Sequence, residues 1–325
     1  MTTDFRQVEQ LATFMQARHD IYLKRLAGRP GPWTSDPVLR NGRFCNVFRE
    51  LDTVTIWIRK NIRERYADHP HLWFMLAIAR YINWPDTLSE LMQTAQWPDR
   101  EGFEPSWLTT ALEHRAARKE KVYTGAYMIR AESNQKAEWY NWSKHRYITE
   151  IVLGRLWEKR EQWTMLLNGG AYPGEPVKQE EVWGYFQSPY FIGWGPFMSY
   201  EVVTDLRHTR YLENAPDIYT WANAGPGAIR GLNRLHFRAH AQPLRQERAN
   251  KEMFDLMLAL NDLDTPEMNR VFGEVDDVNP RFEMRDVEHS LCEFDKWKRV
   301  MRGEGQMRSK YDWTQAKPIT PRENI

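Results

Sequence analysis

The sequence predicts a mostly α fold. Apolar residues recur at helical spacing in segment after segment, short turns bearing glycine or proline separate those segments, and no alternation of strand and helix runs along the chain. With 325 residues and 42% hydrophobic content the chain can bury a large core. The periodicity places helices at Phe5 to Leu26, Phe44 to Tyr66, Leu72 to Tyr81, Thr87 to Thr94, Ser106 to Ala117, Lys136 to Gln162 and Glu180 to Phe186. The run Gly28-Arg29-Pro30-Gly31-Pro32 ends the first helix, since proline lacks the amide a helix needs. Only Val122 to Ile129 reads as extended. The Gly- and Pro-rich stretch Asn168 to Pro176 suggests a division into an N-terminal helical region (1–167), a second region (168–311) and a loose tail (312–325).

Composition narrows the function classes. A net charge of +1 excludes a uniformly basic nucleic-acid binder, so any DNA contact must come from local asymmetry. The two cysteines, Cys45 and Cys292, lack metal-ligand spacing and indicate neither a disulfide framework nor a zinc knuckle, which fits a reducing compartment. No apolar run reaches bilayer length and the first ten residues do not read as a signal peptide, so a cytoplasmic protein without a membrane partner is expected.

The richest stretch is Gln187 to Leu235. Phe191-Ile192-Gly193-Trp194-Gly195 sets two glycines between two helices, which reads as a helix-hairpin-helix; amides opening the second helix suit a DNA phosphate. In the helix that follows, Glu201 and Asp205 share one face. Asp217 lies some twenty residues past the hairpin glycines, as does the catalytic aspartate of helix-hairpin-helix DNA glycosylases, which the spacing resembles. Next comes Asn223-Ala224-Gly225-Pro226-Gly227, a glycine turn running into Arg230 and Arg234. Amides beside arginines suit a polyanion such as pyrophosphate, while the same glycines also suit a plain helix-capping turn. No lysine-serine or lysine-threonine pair follows, so this is not a P-loop.

Arg230, Arg234, Arg238, Arg245, Arg248 and Lys251 form a basic run against a single acid, Glu247, suited to a phosphate backbone or to a solvated helix face. A second basic cluster runs from His114 to Lys121, and acids concentrate in Asp262 to Asp277. Fifteen tryptophans exceed what base stacking needs, so most belong to the core; Trp139, Tyr140, Trp142 and Tyr147, interleaved with Lys144, His145 and Arg146, are the ones placed for stacking. Arg43, Asn46, Arg49 and Asp52 recur every three residues, close to one helical face, and fit either an anion pocket or ion pairs within a bundle. Arg80 and Asn83 repeat that spacing. In Val287 to Trp297 one helical side carries Glu288, Cys292 and Asp295, and another carries His289, Glu293 and Lys296, a group suited to moving protons or to a charged surface. His236 and His240 have helical ligand spacing without a third ligand, so no metal site is assigned.

Together PWTSDPVL at Pro32 to Leu39, RFCNVFRELD at Arg43 to Asp52, Arg80 with Asn83, GPFMSYEVVTDLR, WANAGPGAIRGLNRL and EHSLCEFDKWKRVMRGEG resemble the alpha-glutamyl/putrescinyl thymine pyrophosphorylases. These are phage enzymes of thymidine hypermodification, and the resemblance is strongest to the clade of amino acid:DNA transferases. It spans Arg18 to Tyr311; Cys45 departs from the pattern and is given no role. A related helical domain accompanies the 5-hydroxymethyluracil DNA kinases, but without a P-loop kinase activity is not expected.

The resemblance implies a helix-hairpin-helix DNA glycosylase-like fold with additional helices. It implies a reaction in which an amino acid, glycine ahead of glutamate or putrescine, displaces pyrophosphate from 5-(pyrophosphoryloxymethyl)uracil in double-stranded DNA of an infected bacterium. Asp217 is then the first choice of base, with Glu201 and Asp205 as alternatives. Arg230 with Gly225 and Gly227 leads for pyrophosphate, Arg43, Asn46 and Arg49 come second, and Asn223 faces the base. His289, Glu293 and Lys296 serve the donor or the leaving group. Gly193, Trp194, Gly195, Arg234 and Arg238 contact DNA. No resident cofactor is implied, although magnesium can accompany pyrophosphate. A DNA glycosylase acting on a modified pyrimidine and a non-catalytic DNA-binding protein are the rival classes.

Overall fold

The computed structural model describes residues 5–94, 97–98, 102–169, 175–263, 282–307, 309–316 and 319. Most of the acidic stretch up to Asp277 and residues 170–174 of the Gly- and Pro-rich loop lie outside them. The described residues are helical without named strands; their one isolated bridge pairs Gly42 with Lys310. Val122 to Ile129 accordingly forms no strand, having no partner with which to pair. No helix is long and apolar enough to cross a membrane.

The chain divides into two compact units, residues 1–52 with 218–325, and 53–217. This differs from a linear cut at 167/168, because helices from the two ends of the chain pack in one unit. A Gly- and Pro-rich loop marks a turn, and nothing local distinguishes a turn within a unit from one between units.

The first unit contains α1 (Phe5–Leu26), α2 (Pro37–Asn41) and, farther along, the helices numbered α12 to α14 below. In the second unit α3 (Thr53–Ile58) continues into a π-helical stretch, Arg59–Glu64. Phe44 to Phe48 is not helical, so the helix expected from Phe44 begins only at Thr53. Asn46 is the physical reason: its amide reaches Leu51 O at 2.8 Å and Asp52 Oδ1 at 3.1 Å, which folds 46–52 back on itself.

Next comes α4 (Leu72–Ile82), whose residues are all buried, as expected of the central helix of a unit. Around it stand α5 (Pro85–Met92), α6 (Pro105–Ala117), α7 (Lys144–Arg146), a π-helical stretch Tyr147–Leu153, α8 (Gly154–Glu158) and α9 (Arg160–Leu167). The helix expected from Lys136 starts at Lys144, where the Ser143 hydroxyl accepts the Arg146 amide as an N-cap. Trp73, Trp163, Phe186 and Trp194 fill this core. The unit closes with α10 (Gln179–Phe186) and α11 (Pro196–Leu206), joined by a turn in which Gly193 takes φ 84°. A Cβ at Gly193 would press on Val152, so glycine is required both by conformation and by space.

The first unit resumes with α12 (Pro226–Leu235), α13 (Gln246–Asn261) and α14 (Met284–Met301). Gly231 of α12 lies against the α14 backbone: a Cβ there would stand 2.5 Å from Leu291 O. At Gly227 a Cβ would collide with Cys292 Sγ. The two glycines, one turn apart, let the helices approach closely. Within the tail, Trp313 packs its ring over Gly31.

Candidate functional site

The polar centre of the first unit is built on α14. Its N-terminus carries a capping box in which Glu283 and Asp286 satisfy each other's backbone amides, with Glu283 N to Asp286 Oδ2 at 3.0 Å. Asp286 also accepts the Arg49 amide at 3.3 Å and so ties the 46–52 segment to the helix. Burial raises the Asp286 carboxyl to about 7. Two turns on, Glu293 pairs with Lys296, Nζ to Oε2 at 2.6 Å, and accepts the Cys45 amide at 3.3 Å. Lys296 also donates to Arg43 O at 3.0 Å.

From α1, Arg18 donates to Asn46 Oδ1 at 2.8 Å and to Phe44 O at 3.1 Å. Arg49 is ion-paired with Asp52, and Arg285 Nη1 stands 3.5 Å from Glu50. His289 lies among these groups. Its Nε2 is buried with no hydrogen-bond partner among the described residues. Burial holds its pKa well below the ordinary value near 6.5, and the charges of Arg49, Lys296, Arg285 and Arg18 depress it further. The imidazole is therefore neutral at pH 7, with a lone pair available.

Cys45, His289 and Glu293 place one ligand atom each within 4.8 Å of one another, a set that can hold a soft divalent metal. Arg49, Arg285 and Lys296 are each paired with a carboxylate, so the charges around the imidazole largely balance. Burial and the neighbouring Asp52 and Glu293 carboxylates push the Cys45 thiol well above its usual value.

The other residues singled out from sequence have different surroundings. Asp217 accepts the amides of Gln179 and Glu180, both at 2.9 Å, and so caps α10. Glu201 and Asp205 do share a face, but that face meets buried Arg80 of α4. Arg80 donates to Asp205 Oδ1 at 3.0 Å and to Thr55 at 3.1 Å, while Tyr127 donates to Glu201 at 2.7 Å. Asn83 adopts a left-handed conformation and ends α4. Trp194 is buried and donates to Val152 O at 3.0 Å; Gly195 is the N-cap of α11.

The basic run is largely neutralised within its own unit. Arg230 and Arg234 share Asp295, at 2.8 and 2.7 Å, and Arg234 adds Glu304 at 2.6 Å. Arg238 makes a bidentate pair with Glu252, at 2.7 and 2.6 Å, which Arg248 joins at 2.9 Å. The Gly225 amide donates to Glu288 at 3.2 Å, and Asn223 is buried nearby in sequence. Arg43 is held apart from the three-residue pattern, with Nε on Lys310 O at 3.0 Å. Among the aromatics placed for stacking, Tyr147 is core, Trp142 lies 3.7 Å beneath the Arg146 guanidinium, and Trp139 donates to Glu132 at 2.9 Å.

Sequence reasoning missed Arg18 and Arg285. Both are isolated cations in helical pattern, and the available signal was their placement on the faces of α1 and α14 that also carry apolar core residues.

Comparison with known proteins places the chain in a class. The profile of the family described as 5-hmdU DNA kinase, helical domain, matches residues 6–307, and the chain belongs to that family. A 5-hmdU DNA kinase of Bacillus phage SP10 is 26% identical over 332 residues, covering 95% of this chain and 47% of the relative. The chain thus spans about half the length of the curated relative it matches. No solved structure matches.

Proposed function

We propose that the chain is a phage DNA base-hypermodification enzyme that transfers an amino acid, glycine favoured, to 5-(pyrophosphoryloxymethyl)uracil in DNA. One observation carries this reading: Lys296 is ion-paired to Glu293, whose carboxylate lies within 4.8 Å of a ring nitrogen of His289, and His289 Nε2 has no hydrogen-bond partner among the described residues. The reaction needs positive charge where pyrophosphate departs and a proton acceptor where the amine attacks. The amine nitrogen bonds to the methylene carbon attached to C5, the bond from that carbon to oxygen breaks, and pyrophosphate leaves with the electron pair. The amine's proton passes to His289 Nε2. Lys296 and Arg49 neutralise the leaving group, and Glu293 holds Lys296 in place.

Membership of a family named for 5-hmdU DNA kinases supports a modified deoxyuridine in phage DNA as the substrate. The hairpin of α10 and α11 supports engagement of the DNA backbone and a glycosylase-like ancestry. Asp217, with both oxygens on backbone amides, is better suited to positioning that hairpin than to taking the amine's proton.

Mass spectrometry of nucleosides tests the reading. DNA bearing 5-(pyrophosphoryloxymethyl)uracil is incubated with the protein and a mixture of glycine, glutamate and putrescine. The expected result is a mass gain matching one amine, with stoichiometric pyrophosphate. Abasic sites would instead establish a glycosylase, and unchanged nucleosides would refute the transferase.

A further inference from the structure

The first unit holds a cavity of about 690 Å³ that the chemistry above does not use. Val38 of α2, Val300 of α14, Met307, Tyr311 and Trp313 supply apolar and aromatic walls, and Arg43 and Lys310 supply two cations. The one carboxylate in the lining, Asp312, is engaged in capping its own turn, accepting the Thr314 amide at 3.0 Å and the Thr314 hydroxyl at 2.6 Å. The Tyr311 hydroxyl is buried with no hydrogen-bond partner among the described residues.

We propose that this cavity binds a pyrimidine nucleotide, its ring against the aromatic walls and its phosphate near Arg43 and Lys310. Size excludes the amino-acid donor as the principal occupant: ligand pockets of roughly 300–1,000 Å³ suit molecules of nucleotide size, and glycine would leave most of the space empty. Aromatic faces stack on any base, and cations at the rim meet its phosphate. The cavity also adjoins the cationic centre, because Arg43 lines it and Arg43 O accepts the Lys296 ammonium. The inference rests on the proposed base chemistry and adds the place where the base is held. In duplex DNA the nucleotide must leave the stack to reach it.

The test uses the full chain with three probes: a duplex containing one 5-hydroxymethyl-2′-deoxyuridine, the same duplex with thymidine, and free 5-hydroxymethyl-dUMP. Binding is followed by anisotropy or calorimetry, and permanganate oxidation of the target pyrimidine reports its unstacking. The expected result is at least about tenfold higher permanganate reactivity of the modified base on binding, a population change worth about 1.4 kcal/mol. Val38→Trp, which narrows the cavity, should weaken it, and so should Trp313→Ala, which removes an aromatic wall. Circular dichroism establishes that both variants fold. Binding of free nucleotide that Val38→Trp weakens, without unstacking in the duplex, would keep the nucleotide site and assign it to a free nucleotide. Unstacking and nucleotide binding that both variants leave unchanged, or absence of both in wild type, would overturn the proposal. Pyrophosphate release, measured separately, tells failure of this pocket from failure of the transferase reading.

Discussion

Replacing Gly227 with alanine tests whether the glycine turn before α12 exists for helix packing or for an anion. The added Cβ would collide with Cys292 Sγ and lie 3.2 Å from Cys292 Cβ. Overpacking of this kind costs about 1–3 kcal/mol. Alanine recovers at most about 1 kcal/mol of helix propensity, and less at the second residue of a helix than in its interior. A net loss of about 1–2 kcal/mol is expected. Cys292→Ala removes the colliding sulfur at a cost of about 1 kcal/mol in lost burial. In the double variant the Gly227→Ala penalty should largely vanish, giving a coupling of about 1–2 kcal/mol. Gly231→Ala meets the Leu291 carbonyl, which no side-chain change can move, so Cys292→Ala should not rescue it. Urea unfolding of the four proteins in the cycle measures this. Strict additivity, or a Gly227→Ala protein as stable as wild type that has lost pyrophosphate affinity, would refute close packing and return the turn to anion binding.

Four further outcomes are expected. Asp205→Ala takes from the buried Arg80 guanidinium its bidentate partner, leaving Glu201 at 3.7 Å, and should cost about 3–5 kcal/mol in urea unfolding. Asp217→Ala removes the cap of α10 at a cost of about 1 kcal/mol and, on the positioning reading, changes turnover far less than His289→Gln; an equal loss would restore Asp217 as the base. His289→Gln should lower transfer by about 10²–10⁴-fold, and the wild-type rate should show no His289 inflection near pH 6.5, because burial and nearby cations keep the ring neutral to well below that pH. The two buried titrating groups act on stability with opposite sign. For His289 the contribution is complete above about pH 6.5 and is lost as pH falls towards the depressed folded pKa; for Asp286, raised from 3.8 to about 7, it is complete below about pH 3.8 and is lost as pH rises through 7. Urea midpoints between pH 5 and 8 should therefore lose their acid limb in His289→Gln and their alkaline limb in Asp286→Asn.

Periodicity located most of the helices and their faces, because it is a property of residues three and four apart. The helix Phe5–Leu26 was legible end to end, and α4 within a residue. On α14 the separation of Glu288, Cys292 and Asp295 from His289, Glu293 and Lys296 holds in space: the first group meets α12, through Gly225, Gly227, Arg230 and Arg234, and the second meets the 43–52 segment.

Only tertiary structure decided what those faces do. The front motif read as a helix face from spacing alone, yet the turn closed by Asn46 and Asp52 overrides that local preference. Arg18 reaches Asn46 across 28 positions, and Cys45 reaches Glu293 across 248, separations that carry no periodic signal. The same holds for the carboxylates. Asp205 and Asp217 look like catalytic acids in a linear motif, because residue type and spacing are all a motif records. Their partners, a buried guanidinium 125 positions away and the amides that open α10, are set by which surfaces bury together, and burial is a property of the folded chain.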